Sequence, residues 1–388
     1  MRKLGSVADI VMGASPPGDT YNVDAIGHPL LNGPTEFGDE YPTPCQWTSA
    51  ATRLCRPGDV LLCVRGSSTG RLNIANAVYC LGRGLAAVRG RDGVLDTTYL
   101  FHALERGVQL VRRLSAGSTF PNIDRKNLSS IEFHCPAIAE QRTAGRMLGS
   151  WRKATLAIAR LIEYKRRLKR GLMQELLTGK RRFKEFDGSD WRSVRLEDLF
   201  EEVSRPVIWD DEEGYELLSV RRRSGGVFLR SVTQGSAIKT KSLFQVRVGD
   251  FLISKMQVVH GALGMVRPEF EGKHVSGSYV VLRNKRPDIL RTEMFDHVSR
   301  LPQTCRLALL ASYGVHIEKM TFNLPWYLRS RIRIPAALEE QDRVVAVLDA
   351  LDREIALLMR LQDALDGQRR GVAELLLTGK VRVPEAVS

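Results

Sequence analysis

The sequence lacks the features that are typical of a secreted protein, a protein stabilised by a structural metal or a membrane-spanning protein. Its six cysteines form no Cys-x-x-Cys pair, which argues against both a disulfide framework and a structural zinc site. No apolar run has the length of a signal peptide or of a helix that crosses a bilayer. We therefore expect a cytoplasmic protein whose cysteines are buried, reduced thiols.

Complete catalytic motifs are missing as well. Asn323-Leu324-Pro325-Trp326 is similar to the Asn-Pro-Pro-aromatic loop of amino-methyltransferases but lacks the second proline, and no glycine-rich methyl-donor loop follows a strand. The glycines of Gly66 to Arg71 are too close together for a phosphate-binding loop. His102 and His297 have no neighbour at a metal-binding spacing and are expected to be structural. The sequence predicts a non-catalytic chain without a cofactor or metal.

Acidic residues are too few to balance the basic ones. Lys and Arg number 58 against 44 Asp and Glu, which gives a net charge of +14 and a pI near 9.7. A charge of this size favours a polyanionic partner, and nucleic acid before a membrane. With 388 residues, 43% of them hydrophobic, the chain is long enough for two or three domains with ordinary cores.

What the sequence does contain is an internal repeat. Residues 138–183 return as residues 338–383 without an insertion, and the two copies agree best at their ends. Glu140-Gln141 matches Glu340-Gln341, and the sequence Leu-Leu-Thr-Gly-Lys closes both copies. Two copies are too few for a solenoid, so we interpret the chain as a duplicated half-protein with internal pseudo-symmetry.

Each copy predicts one long helix that ends at a Thr-Gly pair, where glycine permits a left-handed turn. About 38 residues at about 1.5 Å each would make a rod of about 57 Å. Apolar positions at alternating spacings of four and three draw a seam along each helix. The first seam is predicted to consist of Met147, Trp151, Ala154, Ile158, Leu161, Lys165, Leu168 and Leu172, and the second of Val344, Leu348, Leu351, Ile355, Leu358, Gln362 and Leu365.

The two helices carry complementary charge. Residues 138–183 hold thirteen basic and three acidic residues, a net charge of +10, whereas residues 338–383 hold seven basic and nine acidic residues, a net charge of −2. Opposite charge beside two apolar seams favours an antiparallel pair within the chain, which would carry the two remaining blocks to opposite ends of a rigid spacer. Two alternatives are helices that pack separately on their own domains and a basic helix that lies on a membrane surface.

The blocks outside the helices share weaker similarities. A Gly-Asp turn leads into a short apolar strand at Gly58-Asp59 and again at Gly249-Asp250. Thr97 and Thr292 each precede a helical pattern and could cap it. Short strands, glycine-rich turns and one or two helices in each block indicate an α+β fold class.

The order of block, helix, block and helix resembles the specificity subunit of type I restriction-modification systems. The resemblance is carried by the Glu-Gln openings and by the Arg-Gly to Leu-Leu-Thr-Gly-Lys endings at residues 170–180 and 370–380. It implies two target-recognition domains separated by an antiparallel coiled coil, each reading a few base pairs of a bipartite, asymmetric DNA site. The implied segments are a first target-recognition domain at 1–137, a first spacer helix at 138–183, a second target-recognition domain at 184–337, and a second spacer helix with a tail at 338–388. The resemblance also implies that two methyltransferase subunits dock on the helices and that two nuclease-translocase subunits join outside.

Loops rich in Arg, Asn, Gln, Ser and Thr are the candidates for reading bases, because these side chains donate and accept hydrogen bonds in fixed geometry. In the first block we predict DNA contacts from Arg65, Ser67, Thr69, Arg71, Ser118, Thr119 and Asn122. In the second block we predict them from Lys255, Gln257, His260 and Ser278, with the run Arg221, Arg222 and Arg223 contacting phosphate.

Two other function classes remain open at this stage. A single-chain DNA methyltransferase or nuclease would show activity from the purified chain with a methyl donor or magnesium. A coiled-coil scaffold that binds only protein would show no salt-dependent affinity for DNA.

Overall fold

The structure is a computed structural model that describes residues 1–114, 122–239, 241–313 and 321–383. The chain divides into two compact units. One unit comprises Met1–Leu161 and Leu358–Ser388, and the other comprises Ile162–Leu357. Each unit therefore contains one of the two blocks together with part of each long helix.

In its described residues, the first unit contains short strands and three helices before the first long helix. Its strands are β1 (Arg2–Lys3), β2 (Ala8–Met12), β3 (Tyr21–Asn22), β4 (His28–Leu31), β5 (Gln46–Thr48), β6 (Val60–Cys63), β7 (Leu72–Ile74), β8 (Cys80–Leu81), β9 (Leu85–Gly90) and β10 (Glu132–Phe133). Its helices are α1 (Leu4–Val7), α2 (Thr97–Leu114) and α3 (Arg125–Ser130), followed by the first long helix, α4 (Ile138–Leu176).

Strand β6 lies between two hydrophobic cores, each associated with one of two sheets. One is antiparallel in the order β2-β9-β6-β7, and the other has the order β3-β5-β4-β8 with β4 parallel to β8. Side chains alternate faces along a strand. Accordingly, Val60 and Leu62 enter the core with α2, whereas Leu61 and Cys63 enter a smaller core beneath the second sheet. This double burial explains why the strand is apolar at every position.

The second unit repeats this content. Its strands are β11 (Trp191–Arg195), β12 (Phe200–Glu202), β13 (Gly214–Val220), β14 (Val227–Gln234), β15 (Leu243–Gln245), β16 (Phe251–Ser254), β17 (Leu263–Met265), β18 (His274–Ser276), β19 (Tyr279–Asn284), β20 (Ser312–Tyr313), β21 (Thr321–Phe322) and β22 (Arg331–Pro335). Its helices are α5 (Leu196–Leu199), α6 (Thr292–Val298), α7 (Pro302–Leu310) and α8 (Leu324–Leu328), followed by the second long helix, α9 (Leu338–Leu377).

Strand order shows that the two blocks share one plan. The sheet β12-β19-β16-β17 corresponds to β2-β9-β6-β7, and β14-β13-β18 corresponds to β5-β4-β8, again with one parallel pair. The alternation along β16 also repeats, since Phe251 and Ile253 enter one core and Leu252 another. The predicted α+β class and internal repeat are therefore confirmed, and the repeat extends beyond the helices to the blocks.

The predicted Gly-Asp turns occupy equivalent positions. Asp59 and Asp250 are each 1% exposed, and each follows a glycine with a positive φ, of 88° and 82°. Arg89 pairs with Asp59 through two hydrogen bonds of 2.6 and 2.7 Å. Arg205 pairs with Asp250 at 2.7 and 3.2 Å. The same buried carboxylate is thus neutralised by arginines from different parts of the two blocks.

The glutamine of each Glu-Gln motif fixes the start of a long helix to its block. Gln141 and Gln341 are fully buried. The side-chain oxygen of Gln141 accepts a 2.9 Å hydrogen bond from the backbone N–H of Asp96, and that of Gln341 accepts one of 2.9 Å from Arg291. Each glutamine side chain also donates to backbone carbonyls of its block. The motif therefore acts as a clamp between helix and domain.

The predicted threonine caps are wrong. Helix α2 does begin at Thr97, but its cap is Asp96, whose carboxylate accepts a 3.0 Å hydrogen bond from the N–H of Tyr99. Helix α6 begins at Thr292 after Arg291, which makes no side-chain capping bond. Both threonines are the first residues of their helices. The residue before each of them, Asp96 or Arg291, is the one whose N–H donates to the buried glutamine.

Burial confirms the predicted seam of α9 from Val344 to Ile355, whereas its last three residues are half-buried, and burial corrects the seam of α4. Met147, Leu161 and Leu168 are 45%, 40% and 37% exposed, so the predicted line lies about one residue away from the buried one. The buried line follows a seven-residue spacing that includes two polar side chains, and it consists of Leu148, Thr155, Ile162, Lys169 and Leu176. The predicted line missed Thr155 and Lys169, because polar residues give no local signal of burial.

Charge pairing differs between the units. In the second unit, Lys165 lies 2.8 Å from Glu354, and Lys169 lies 2.5 Å from Asp352. This confirms the expected attraction between a basic α4 and an acidic α9. In the first unit, α9 forms ion pairs with α2, through Arg369 and Glu105 at 2.8 Å.

The cysteines form no disulfide, and Cys55, Cys63 and Cys80 are buried as expected. Cys45 is exposed, so the prediction of a buried thiol is wrong at that position. Across the part of the chain that the structure describes, no helix combines the length and apolar character needed to cross a membrane.

Candidate nucleic-acid interface

The two loops predicted to read bases are equivalent hairpins of the repeat. One joins β6 to β7 and the other joins β16 to β17, and in both the paired residues at the hairpin base are fourteen positions apart: Val60 pairs with Ile74, and Phe251 with Met265. Both hairpins close through a backbone hydrogen bond at the same position. The N–H of Cys63 donates to the carbonyl of Arg71 at 2.9 Å, and the N–H of Ser254 donates to the carbonyl of Ala262 at 3.0 Å. The same scaffold thus presents different side chains in the two blocks.

In the first block, the structure brings two separately predicted segments together. Arg65 and Asn122 form an isolated antiparallel backbone bridge, and the N–H of Ile123 donates to the carbonyl of Val64 at 2.9 Å. Both Arg65 and Asn122 are exposed. A guanidinium and a carboxamide therefore stand side by side, the two groups best suited to guanine and adenine respectively.

The other candidates of the first hairpin divide into exposed and structural residues. Ser67 is exposed, whereas Thr69 is fully buried and its hydroxyl donates to the carbonyl of Gly66 at 2.7 Å. The predicted base contact of Thr69 does not fit this conformation, because its hydroxyl is turned into the loop. Arg71 is exposed but donates a 3.0 Å hydrogen bond to the carbonyl of Phe37.

Ser118 and Thr119, which were also predicted to contact DNA, lie outside the described residues.

In the second block, Lys255 and Ser278 lie together. Lys255 donates from its backbone N–H to the carbonyl of Ser278 and from its Nζ to the carbonyl of Gly277, both at 2.9 Å. Lys255 and Ser278 are exposed, whereas Gln257 and His260 are half-buried. The four predicted residues of this block therefore belong to two adjoining loops.

The arginine-rich turn between β13 and β14 supports the second hairpin, which sequence reasoning did not foresee. The N–H of Arg223 donates to the carbonyl of His260 at 2.6 Å, and that of Ser224 donates to Gly261 at 2.9 Å. Arg221 stacks over the ring of Phe228, with its guanidinium carbon 4.0 Å from the ring centroid, and Arg222 is exposed. Arg223 and Ser224 both have a positive φ, which the sequence does not indicate because neither residue is a glycine.

Among the described residues, one cluster has the donor spacing of a metal site: His297, Asp349 and Asp352, whose ligand atoms lie within 4.8 Å of one another. His297 is fully buried and its Nε2 lies 2.8 Å from Asp349. Burial opposes ionisation of Asp349, but the hydrogen bond from His297 and the charge of Arg267 together lower its pKa. Lys169 already holds Asp352. We assign this cluster to an ion-pair network between domain and helices.

The segment that resembles a methyltransferase loop forms a helix cap. The side-chain oxygen of Asn323 accepts a 2.9 Å hydrogen bond from the N–H of Trp326 at the start of α8. The asparagine therefore has a structural explanation that requires no methyl-transfer chemistry.

Comparison with known proteins supports a relationship to DNA specificity domains. Residues 1–163 match the family described as type I restriction modification DNA specificity domain. A putative type I restriction enzyme MjaX specificity subunit from Methanocaldococcus jannaschii is 35% identical over 182 residues, covering 45% of this chain and 41% of the relative. The type I restriction enzyme MjaVIII specificity subunit of the same organism is 25% identical over 149 residues, covering 36% of this chain and 35% of the relative. The chain thus matches about two fifths or less of the length of these relatives.

A solved structure extends the likeness of fold to nearly the whole chain. The type I restriction-modification S subunit from M. genitalium superposes over 97% of this chain and 95% of its own, with a TM-score of 0.66. At 14% sequence identity, this likeness establishes the fold alone.

Proposed function

We propose that this chain is the DNA-reading subunit of a type I restriction-modification complex, because its residues 1–163 match the family of type I restriction modification DNA specificity domains and a related specificity subunit is 35% identical over 182 residues. It would bind double-stranded DNA in the cytoplasm and read a bipartite, asymmetric target with one domain for each half-site. Two methyltransferase subunits would dock on its helices, with nuclease-translocase subunits joining outside. The chain itself would be non-catalytic and would bind no cofactor.

The observation that carries this proposal is the repeated hairpin with unlike side chains. The first hairpin presents Arg65 beside Asn122, and the second presents Lys255 beside Ser278. Because base discrimination depends on the identity and geometry of the donors and acceptors, equivalent scaffolds with different side chains suit two different half-sites. A symmetric protein would instead be expected to read a palindrome.

The long helices supply the second part of the proposal. Each is clamped to a block by a buried glutamine, and the ion pairs between Lys165 and Glu354 and between Lys169 and Asp352 hold α4 to α9 in the second unit. Paired helices with clamped domains would fix the number of unread base pairs between the half-sites. Sites on one face of DNA recur about every 34 Å, so a rigid spacer limits which helical turns can be read.

Mapping methylated bases in cells with and without this chain tests the proposal. We expect a split motif, two short sequences around an unread gap, that is present only when the chain is present. Exchange of residues 191–335 for the equivalent domain of another specificity subunit should change one half of the motif and leave the other. Methyl transfer by the purified chain alone, or a change in both halves after the exchange, would contradict the proposal.

A further inference from the structure

The second unit contains a cationic cavity of about 560 Å³ that the proposed base contacts do not use. Helices α4 and α9, the turn after β13 and the junction of α6 with α7 contribute to its wall. Its charged lining residues are five basic side chains and one acidic one, namely Arg166, Lys169, Arg170, Arg223, Arg300 and Asp352. The lining therefore carries a clear excess of positive charge.

The acidic groups nearby neutralise only part of this charge. Asp352 accepts hydrogen bonds of 2.5 and 2.6 Å from Lys169, and Arg300 is held mainly by Asp296 at 2.5 Å. Arg170 has a longer contact of 3.4 Å with the half-buried Glu163. Arg223 is exposed and forms no ion pair with any residue that the structure describes. Arg170 and Arg223 are thus the groups best placed to receive an anion.

The backbone that presents Arg223 is held in an unusual conformation. Arg223 and Ser224 have φ angles of 58° and 56°, in the left-handed region that favours glycine. Two hydrogen bonds to the hairpin at His260 and Gly261 hold this conformation. Non-glycine residues persist in this region where the surrounding structure determines them, and such positions cluster at functional sites. One residue therefore connects the cavity to the hairpin that we propose reads bases.

We propose that this cavity binds a phosphate group, and that in the working complex the group is a backbone phosphodiester of DNA beside the second half-site. Arginine side chains suit this ligand because their planar guanidinium groups donate paired hydrogen bonds to phosphate oxygens. The DNA source rests on the proposed function. A phosphate held here would position the hairpin of Lys255 and His260 without specifying sequence, since phosphate contacts fix register and base contacts carry specificity.

Salt dependence of DNA affinity tests this inference. The full chain, together with its methyltransferase partner, is compared with the variants Arg170→Gln, Arg223→Gln and the double variant. Arg167→Gln serves as the matched control, because Arg167 lies on the same helix, is 73% exposed and does not line the cavity. Each cavity variant should reduce the slope of the logarithm of the DNA-binding constant against the logarithm of salt concentration by about 1, and the double variant by about 2. The loss of affinity should be equal for target and unrelated DNA. The control should keep the wild-type slope.

A second arm distinguishes DNA from a free ligand as the source of the phosphate. Inorganic phosphate and adenosine monophosphate are titrated calorimetrically into the chain without DNA. Binding that is lost in Arg223→Gln, with unchanged DNA slopes, would support the phosphate site but assign it to a free ligand. Unchanged DNA slopes together with no phosphate binding would overturn the inference. A wild-type complex without affinity for DNA would contradict the proposed function. The phosphate titration alone would then show whether the cavity binds phosphate.

Discussion

Arg182 donates two hydrogen bonds, of 2.9 and 2.6 Å, to the carboxylate of Glu340, which is only 1% exposed. The pair joins the turn after α4 to the first turn of α9. In the other unit, Arg382 approaches Glu140 at 3.1 Å in the same way. The arginine two positions after each Thr-Gly-Lys motif thus pairs with the glutamate of the Glu-Gln motif in the other copy of the repeat. The start and the end of the sequence repeat agree best between the copies, and the end of each copy contacts the start of the other.

These two ion pairs are expected to differ in energy. Replacing Arg182 by Ala leaves Glu340 buried without its partner, which should lower the free energy of unfolding of its unit by about 3–5 kcal/mol. Glu140 is also buried, at 6% exposed, but its partner Arg382 is 79% exposed and solvent screens their contact, so Arg382→Ala should cost less than Arg182→Ala. Urea unfolding followed by the fluorescence of Trp191, which packs against Gly179, would report on the Arg182 contact. Adding Glu340→Gln should recover part of the loss, and equal effects of the two arginine variants would contradict this assignment.

The pH dependence of the first unit should depend on Glu105. Burial opposes its ionisation, but hydrogen bonds from His102 and Arg369 outweigh that effect and lower its pKa from 4.5 to about 2. A carboxylate whose pKa is lower in the folded state stabilises the fold above pH 4.5 and loses that contribution as the pH falls toward 2. The variant Glu105→Gln should therefore be less stable than the wild type at pH 7, and the difference should shrink below pH 4.5. Arg369→Gln should weaken the same pH dependence, and a constant difference between pH 7 and pH 3 would disprove it.

Thiol reactivity should separate the cysteines by burial. Burial raises the pKa of Cys55 to about 11 and that of Cys63 to about 12, whereas Cys45 is exposed. Only thiolates react rapidly, so near pH 8 these two thiols should react at least about a hundredfold more slowly than Cys45. Mass spectrometry after timed alkylation would measure the order, and Cys45→Ser should remove the fast phase. Rapid labelling of Cys63 in the folded protein would contradict its placement in the core.

The sequence contained enough information for the repeat, the long helices and their order. Identical motifs at a fixed separation are visible without structure, and α4 and α9 have 39 and 40 residues against an expected length of about 38. The buried face of α4 was harder to predict, because Lys169 is buried only by virtue of Asp352 on another helix. A polar residue whose partner lies 183 positions away gives no local signal of burial.

The candidate interface was predictable as a set of loops but not as a surface. Arg65 and Asn122 are far apart in sequence and become neighbours through a backbone bridge, which no spacing rule could reveal. From the sequence, the hydroxyl of Thr69 cannot be told from one that is free to contact DNA. Only the structure shows that it donates a hydrogen bond to Gly66 and stabilises the turn. The left-handed conformation of Arg223 was likewise invisible, because it depends on contacts with the neighbouring hairpin.

The two hairpins should control separate halves of the DNA target. Asn122→Ala removes an exposed carboxamide beside Arg65, and loss of a paired base contact costs about 1–3 kcal/mol of discrimination. We expect this variant to relax one or two positions in the half-site of the first domain and to leave the other half unchanged. Lys255→Ala is the reciprocal control, since it removes an exposed side chain from the equivalent hairpin of the other block. Sequencing of methylated bases, with competition by duplexes substituted at each position, would measure both effects. If Asn122→Ala and Lys255→Ala relaxed the same half-site, the two domains could not be reading separate sequences, because each hairpin belongs to a different block of the repeat.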